Sequence, residues 1–409
     1  MPGTEEQLNK EMTAGYVGFD PTADSLHVGN LLPITLLMRL QRAGHKPYAL
    51  VGGATGMVGD PSGKSQERNL LDMDTIQKNV DGIRRQLEKF LDFGADKANA
   101  AVMVNNFDWF KSFTFLDFIR DAGKHISVNY MLAKDSVQKR LETGMSFTEF
   151  TYQLIQGYDF YYLNKNNNVK LQMGGADQWG NIVTGTELIR RKGGSDAYAM
   201  TSPLITKADG SKFGKSESGN VWLDANRTSP YQFYQFWLKL ADDEAAKMSF
   251  SFSFRPVAEI KALIEEHAAA PHQRKLQKAL AEELTTLVHS AEDLAFAQKA
   301  SDILFGQAPV DALKSLNEKQ LLEVMEGVPQ VTASKEAVDN GMELLTFLAD
   351  SGVFPSKGEA RKMVQNGGFS INKEKVIAID HMVKAEHLLN GRYLLLQKGK
   401  SNYTLAIFN

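Results

Sequence analysis

Two short, glycine-marked stretches hold the residues of this chain best suited to chemistry. The first, "GFDPTADSLHVGN" (residues 18–30), sets Asp20, Thr22, His27 and Asn30 around Gly18 and Gly29, directly ahead of the apolar run "LLPITLLMRLQRAG". Free backbone N–H groups at a helix N-terminus, glycines that bare the backbone and side-chain donors three residues apart together suit an anion such as phosphate. Gly18 is expected to end a strand, the helix to begin near His27, and Gly29 to leave room for a flat base on the backbone. A capped helix with a surface histidine is the plainer reading. The second stretch, "KADGSKFGKSES", places Lys212 and Lys215 among Gly and Ser, as a basic loop reaching for phosphate oxygens would; alone, it also reads as a solvated loop. No nucleophilic triad stands out. With no cysteine in 409 residues, disulfides, thiolate metal sites and a Cys nucleophile are excluded.

A third set lies on a helix. "FTEFTYQLIQGYDF" has an apolar stripe of Phe147, Phe150, Leu154 and Tyr158, and a second stripe of Tyr152, Gln156 and Asp159 at i, i+4 and i+7. A hydroxyl, an amide and a carboxylate on one face differ from the Lys and Glu of a solvent face, although a chance polar face would look the same.

These residues need a frame to converge. "GYVGF", "PYALVGG", "AVMVNN" and "VKLQMGG" read as buried strands, with "LLPITLLMRLQRAG" and "TIQKNVDGIRRQLEKFLDF" as helices between them. Strand–helix alternation predicts an α/β, doubly wound parallel sheet, with a mostly helical insertion over about 110–150. From "SPYQFYQFWLKL" to about residue 325 the pattern is helical, "GVPQVTASKEAVDNG" reads as a linker, and "PSKGEARKMVQNGGFSINKEKV" as a capped helix, a Gly-Gly stop and a hairpin turned at Asn372–Lys373. Residues 341–409 carry nine Lys/Arg against six Asp/Glu, whereas the rest is net −6. The tail is therefore the first place to look for an RNA or phosphate partner. No apolar run is long enough to span a membrane and "MPGTEEQLNKEM" lacks a signal-peptide profile, so a cytoplasmic protein without a membrane partner is expected.

The two basic and histidine-bearing stretches resemble the paired "HIGH" and "KMSKS" signatures of class I aminoacyl-tRNA synthetases. With "FTEFTYQLIQGYDF", "GGADQWGN" and "VGGATGMVGDPSGK" the chain resembles the bacterial tyrosyl-tRNA synthetases from about residue 16 to its end. The resemblance implies a Rossmann-like catalytic domain (1–220) with a dimerising insertion, an all-α anticodon-recognition domain (221–325) and a small α+β RNA-binding module (341–409). It implies ATP accompanied by Mg2+, L-tyrosine and tRNA(Tyr) as partners, no protein-bound metal, and a homodimer. His27, Thr22 and Asn30 would hold the phosphates, with Lys212 and Lys215 closing over them and Lys64 and Arg68 as weaker candidates. Gly18, Asp20, Gly29 and Asp177 would complete the ATP site. Tyr16 and Asp159 would meet the phenol, Asp60, Tyr152 and Gln156 the ammonium, and Gln178 the carboxyl region. Ser356 would cap a helix presenting Lys357, Arg361 and Lys362 to tRNA; a solvated charged helix is the alternative. The first signature ends in Asn30 where the family has His, the second reads "KFGKS", only fifteen residues precede Tyr16, and Pro33 falls inside the helix, forfeiting a backbone hydrogen bond. A tryptophanyl enzyme is disfavoured, since an indole N–H gives Tyr16 no acceptor; a non-catalytic RNA-binding relative is disfavoured by the retained phosphate clamp.

Overall fold

The computed structural model describes residues 1–62, 71–142, 144–206, 213–216, 219–305, 310–325, 328–399 and 402–409. They form two compact units: Met1–Thr228 with Phe236–His289, and Ser229–Gln235 with Ser290–Asn409.

The first unit is built on five parallel strands, β1 (Ala14–Phe19), β2 (Lys46–Val51), β3 (Val102–Asn105), β4 (Val169–Gly175) and β5 (Tyr198–Ser202), in the order β3-β2-β1-β4-β5. β1 to β4 coincide with the apolar runs read from sequence; β5 was not anticipated. The chain winds outward from β1 to β3 and returns to lay β4 against β1's other edge. The strand order therefore reverses between β1 and β4, where a crevice opens beyond the carboxyl ends.

Helices α1 (Thr4–Lys10), α2 (Val28–Arg42) and α3 (Met73–Phe90) belong to the first half of this winding. α2 buries Leu31, Ile34, Leu37, Met38 and Leu40 at helical spacing and runs unbroken through Pro33. The insertion comprises α4 (Phe107–Phe110), α5 (Phe115–Asp121), α6 (Val128–Leu132) and α7 (Asp135–Leu141), followed by α8 (Phe147–Asn167) and α9 (Trp179–Arg191). Side chains of Thr114, Ser127 and Ser146 cap α5, α6 and α8. Phe110, Phe113 and Phe118 cluster around Tyr158 of α8, with ring centroids 5.2–5.9 Å from it. Arg140 and Glu149 form a buried ion pair at 2.6 Å between α7 and α8. The apolar stripe expected on α8 needs one correction: Leu154 and Tyr158 are buried, but Phe147, in the first turn, is 66 % exposed.

In the second unit the strands run in the order Glu374–Lys375, Phe369–Ile371, Tyr393–Lys398, Asn402–Phe408, Gln330–Ala333, all antiparallel except the last pair. "GVPQVTASKEAVDNG" is therefore not a linker: its residues 330–333 form an edge strand and Lys335–Asp339 a helical turn. An edge strand pairs on one side only, so four residues suffice once a partner strand is offered. Ile371 pairs with Glu374, and Asn372 and Lys373 between them take φ of 48° and 70°, the two-residue left-handed turn read from sequence. Ser356 Oγ accepts from Glu359 N at 3.3 Å and caps the helix Lys357–Gln365. Phe347, Phe354, Val364, Phe369, Leu394 and Phe408 fill the core, while Lys357, Arg361 and Lys362 are exposed. The helix Glu318–Val324 joins this unit through Glu318, whose carboxylate accepts from Tyr393 Oη at 2.6 Å.

Candidate active site

A cavity of about 790 Å3 occupies the crevice at the reversal point, lined by the ends of β1 and β4, the loop 20–30 and α8. Its outer end is the N-terminus of α2. His27 is the N-cap: its Nδ1 accepts from Gly29 N at 3.0 Å, and its own N–H donates to Asn30 Oδ1 at 3.1 Å. With Nδ1 accepting, the neutral ring carries its proton on Nε2, a donor on a cavity-lining side chain. Asn30, the departure from the family signature, completes this capping box and keeps its Nδ2 as a donor. The lack of a side chain at Gly29 also serves His27, since a Cβ there would lie 2.7 Å from the imidazole.

The loop that carries His27 is fastened by one face of α3. Asn79 Nδ2 donates to Pro21 O at 2.9 Å, while Gln86 accepts from Leu26 N at 2.7 Å and donates to Ser25 Oγ at 2.9 Å. Between them, Gly82 lets the loop approach so closely that a Cβ would stand 2.1 Å from Asp24 O. The backbone around the second signature is fixed to the same loop. Val28 N donates to Val221 O and Leu223 N to Leu26 O, both at 2.8 Å, and Val221 N donates to Gly214 O at 2.9 Å. Lys215–Ser216 pairs antiparallel with Gly219–Asn220 beside this base. Phe213 anchors it, buried against Phe236, Trp237 and Phe252. Lys215 is thus placed by its backbone; Lys64, Arg68 and Lys212 lie outside the described residues.

The inner end is closed by Asp159, 2 % exposed, which accepts from Trp109 Nε1 at 2.9 Å and Asn106 Nδ2 at 3.0 Å. Burial pushes its carboxyl up to about 8, against the two donors that favour the charge, and the Asp20 carboxylate adds to the rise. Tyr16 faces this end with its hydroxyl buried and without a hydrogen bond among the described residues, and the same holds for Oε1 of Gln156 and of Gln172. Burial, then the charge of Asp159, hold the Tyr16 phenol protonated far above the ordinary range.

Between the two ends runs a polar network. Asp20 accepts from Thr55 Oγ1 at 2.7 Å and Tyr152 Oη at 2.8 Å, and Thr55 accepts from Asn106 Nδ2 at 3.1 Å, which links Asp20 to Asp159. Asp60 accepts from Gln178 Nε2 at 2.7 Å and Ser62 N at 2.9 Å. Thr22, Gly18 and Asp177 also border the cavity. Every described residue expected at the tyrosine and ATP sites is thus a cavity residue except Lys215, whose backbone adjoins it. Thr55, Asn106, Trp109, Gln172 and Asn181 escaped the sequence reading. The "NNF" after β3 was the available signal, because polar residues just past a strand's carboxyl end sit at the binding edge of such a sheet.

Residues 8–306 match the family described as tRNA synthetases class I (W and Y), and residues 320–406 that described as the tyrosine–tRNA ligase SYY-like C-terminal domain. Tyrosine–tRNA ligases of Bacteroides fragilis and Flavobacterium johnsoniae are each 59 % identical to this chain, over 100 % and 98 % of it and 96 % and 95 % of their own lengths. The chain belongs to the tyrosine–tRNA ligases. A C-terminally truncated mitochondrial tyrosyl-tRNA synthetase of Coccidioides posadasii has the same fold, at 32 % identity and a TM-score of 0.63 over 73 % of this chain and 86 % of that one. Membership decides between the tyrosyl and tryptophanyl readings, and the scaffold reading falls with it. Tyrosine–tRNA ligases act on ATP, an amino acid and tRNA, and the cavity is lined by polar groups from both the α2 N-terminus and the Asp159 end.

Proposed function

We propose that the cavity joins L-tyrosine to AMP and then passes the tyrosyl group to tRNA(Tyr). The buried, unbonded Tyr16 hydroxyl beside Asp159 carries this reading. Unpaired buried polar groups are rare, and a substrate phenol can bond to the Tyr16 hydroxyl and to Asp159, where phenylalanine leaves the Tyr16 hydroxyl unpaired. Asp60, Tyr152 and Gln156 receive the ammonium, and Gln178, held by Asp60, orients the carboxylate. That carboxylate attacks the α-phosphorus of ATP, so no protein nucleophile is needed. The outer end stabilises the charge that develops on the leaving pyrophosphate through the α2 N-terminus, His27, Thr22 and Asn30, with Lys215 and Lys212 of the second signature. Asp177 binds the ribose, and Asp20, Gly18 and Gly29 shape the nucleotide wall. Mg2+ arrives as the counter-ion of the ATP phosphates; the described residues contain no cluster of three or more candidate ligands.

Lys357, Arg361 and Lys362 contact tRNA phosphates, adding affinity that falls with salt. The functional form is a twofold dimer through the insertion, where Phe115 and Leu116, 64 % and 69 % exposed, stand with Ile119, Val128 and Phe147 on the surface. The protein works in the cytoplasm; no helix of the described residues is long and apolar enough to cross a membrane. Tyrosine-dependent exchange of pyrophosphate into ATP tests the first step, and its absence with tyrosine would end the proposal.

A further inference from the structure

His27 faces a second aromatic ring across a short backbone bridge. It pairs antiparallel with Trp222. The flanking bonds, Val28 N to Val221 O and Leu223 N to Leu26 O, make His27 and Trp222 the non-hydrogen-bonded pair of that bridge. Side chains stand closest in such a pair, on one face. The indole accordingly meets the imidazole edge-on, with ring centroids 6.1 Å apart and planes at 69°. Trp222 is half-buried and borders the cavity.

The indole is itself held. The Arg227 guanidinium lies 4.3 Å from the centre of the Trp222 ring, and its Nη2 is 3.1 Å from Asp24 Oδ1 in an ion pair. Lys78 of α3 stands 3.8 Å from the other oxygen of Asp24. The turn that brings Arg227 round is closed on itself. Arg227 N and Thr228 N both donate to Asp224 O at 3.0 Å, Asn226 N donates to Asp224 Oδ1 at 2.9 Å, and Trp222 N donates to Thr228 Oγ1 at 2.9 Å. Asp24 lies three residues before His27, on the loop seated against Gly82. The contacts thus run from His27 to Trp222, on to Arg227 and back to Asp24, and both ends of the circuit belong to the first signature.

A histidine that donates through one ring nitrogen needs its plane fixed. The bond from Gly29 N to Nδ1 holds one atom of the imidazole, and a ring plane takes a second contact to set it. Where the donor meets charge that develops only in the transition state, misdirection lowers the rate rather than the affinity. We infer that Trp222 is a positioning residue for His27: backed by Arg227 and Asp24, its indole sets the plane of the imidazole and so aims Nε2–H at the ATP phosphates. The inference rests on the reading of the cavity in which His27 stabilises the leaving pyrophosphate. The indole takes no part in binding tyrosine, whose phenol meets Tyr16 and Asp159 at the other end.

The test compares full-length Trp222→Leu, Trp222→Phe, Arg227→Met, His27→Ala and the double variant His27→Ala with Trp222→Leu. Pre-steady-state adenylate formation is followed at saturating ATP and tyrosine, and tyrosine affinity is measured separately. Trp222→Leu should slow adenylate formation about three- to tenfold, the range an edge-on aromatic pair contributes, with tyrosine affinity at the parent's level. Phe keeps a ring edge and should recover most of the rate. Arg227→Met alters an exposed side chain and should slow the step less, in the same sense. In the His27→Ala background Trp222→Leu should cost less than about twofold more, because the ring it orients is gone. Trp222→Leu or Arg227→Met at the parent's rate, Phe as slow as Leu, tyrosine affinity falling in step with rate, or the same multiple in both backgrounds would each overturn the role. His27→Ala at the parent's rate would instead overturn the reading of the cavity's phosphate end.

Discussion

Replacing Asp159 with alanine bears directly on the inner end of the cavity. In the parent, the carboxyl holds two donors at 2.9 and 3.0 Å and stands beside an unbonded Tyr16 hydroxyl. A tyrosine phenol gains one hydrogen bond there that phenylalanine cannot make. Such a bond contributes about 1 kcal/mol to a neutral acceptor and about 1.5–3 kcal/mol to a charged one. Because burial lifts Asp159 to about 8, neutral pH falls on the lower side of its titration. The variant should therefore narrow the tyrosine-to-phenylalanine ratio of kcat/KM by about five- to thirtyfold at pH 7. In the parent that ratio should widen as pH rises through 8, as the acceptor becomes charged; in the variant it should stay flat. The stability arm uses Asp159→Asn. The folded carboxyl binds its proton more tightly than the unfolded one, whose ordinary value is 3.8, so the folded state holds the extra proton between about 4 and about 8. Parent stability should fall across that window relative to Asp159→Asn, read by urea unfolding at several pH values. An Asp159→Ala protein that discriminates as well as the parent, with the same pH profile, would refute the α8 register that brings Asp159 to the phenol.

At the outer end, His27→Ala should slow adenylate formation while leaving tyrosine affinity nearly unchanged. Gly29→Ala should act the same way by displacing the His27 ring; a pre-steady-state assay showing the loss confined to tyrosine binding would remove both assignments. For the insertion, the parent should scatter light at about twice 45.4 kDa, and Phe115→Glu with Leu116→Glu should give the mass of one chain. Truncation separates the functions: a chain ending at His289 should keep pyrophosphate exchange and lose most tRNA charging. A chain ending near 325 should be the more protease-sensitive of the two, because its helix Glu318–Val324 is cut from Tyr393 and the sheet beyond. Equal protease resistance would mean that this helix stands without the sheet.

What this sequence determines by itself is local. The capping box at His27 and Asn30, the cap at Ser356, the turn at Asn372–Lys373 and the i, i+4, i+7 face of Tyr152, Gln156 and Asp159 each depend on residues a few positions apart, and all are legible in the chain. The physical reason is that helix period, capping and turn geometry are set by bonds and sterics within a turn or two. Tertiary structure decided the rest. Asn79 and Gln86 look like ordinary polar positions of an amphipathic helix until the 20–27 loop lies against them. Gln172 becomes a wall of the cavity because β4 returns to pair with β1 beside Tyr16, a crossover that no local pattern encodes. The edge strand 330–333 exists only because Asn402–Phe408, some seventy residues later, offers it a partner. Asp159 shows the division most clearly. Its place on α8 follows from helical spacing, but its proton affinity comes from the desolvation and the two N–H donors that β3 and α4 bring over it, and those depend on the packed whole.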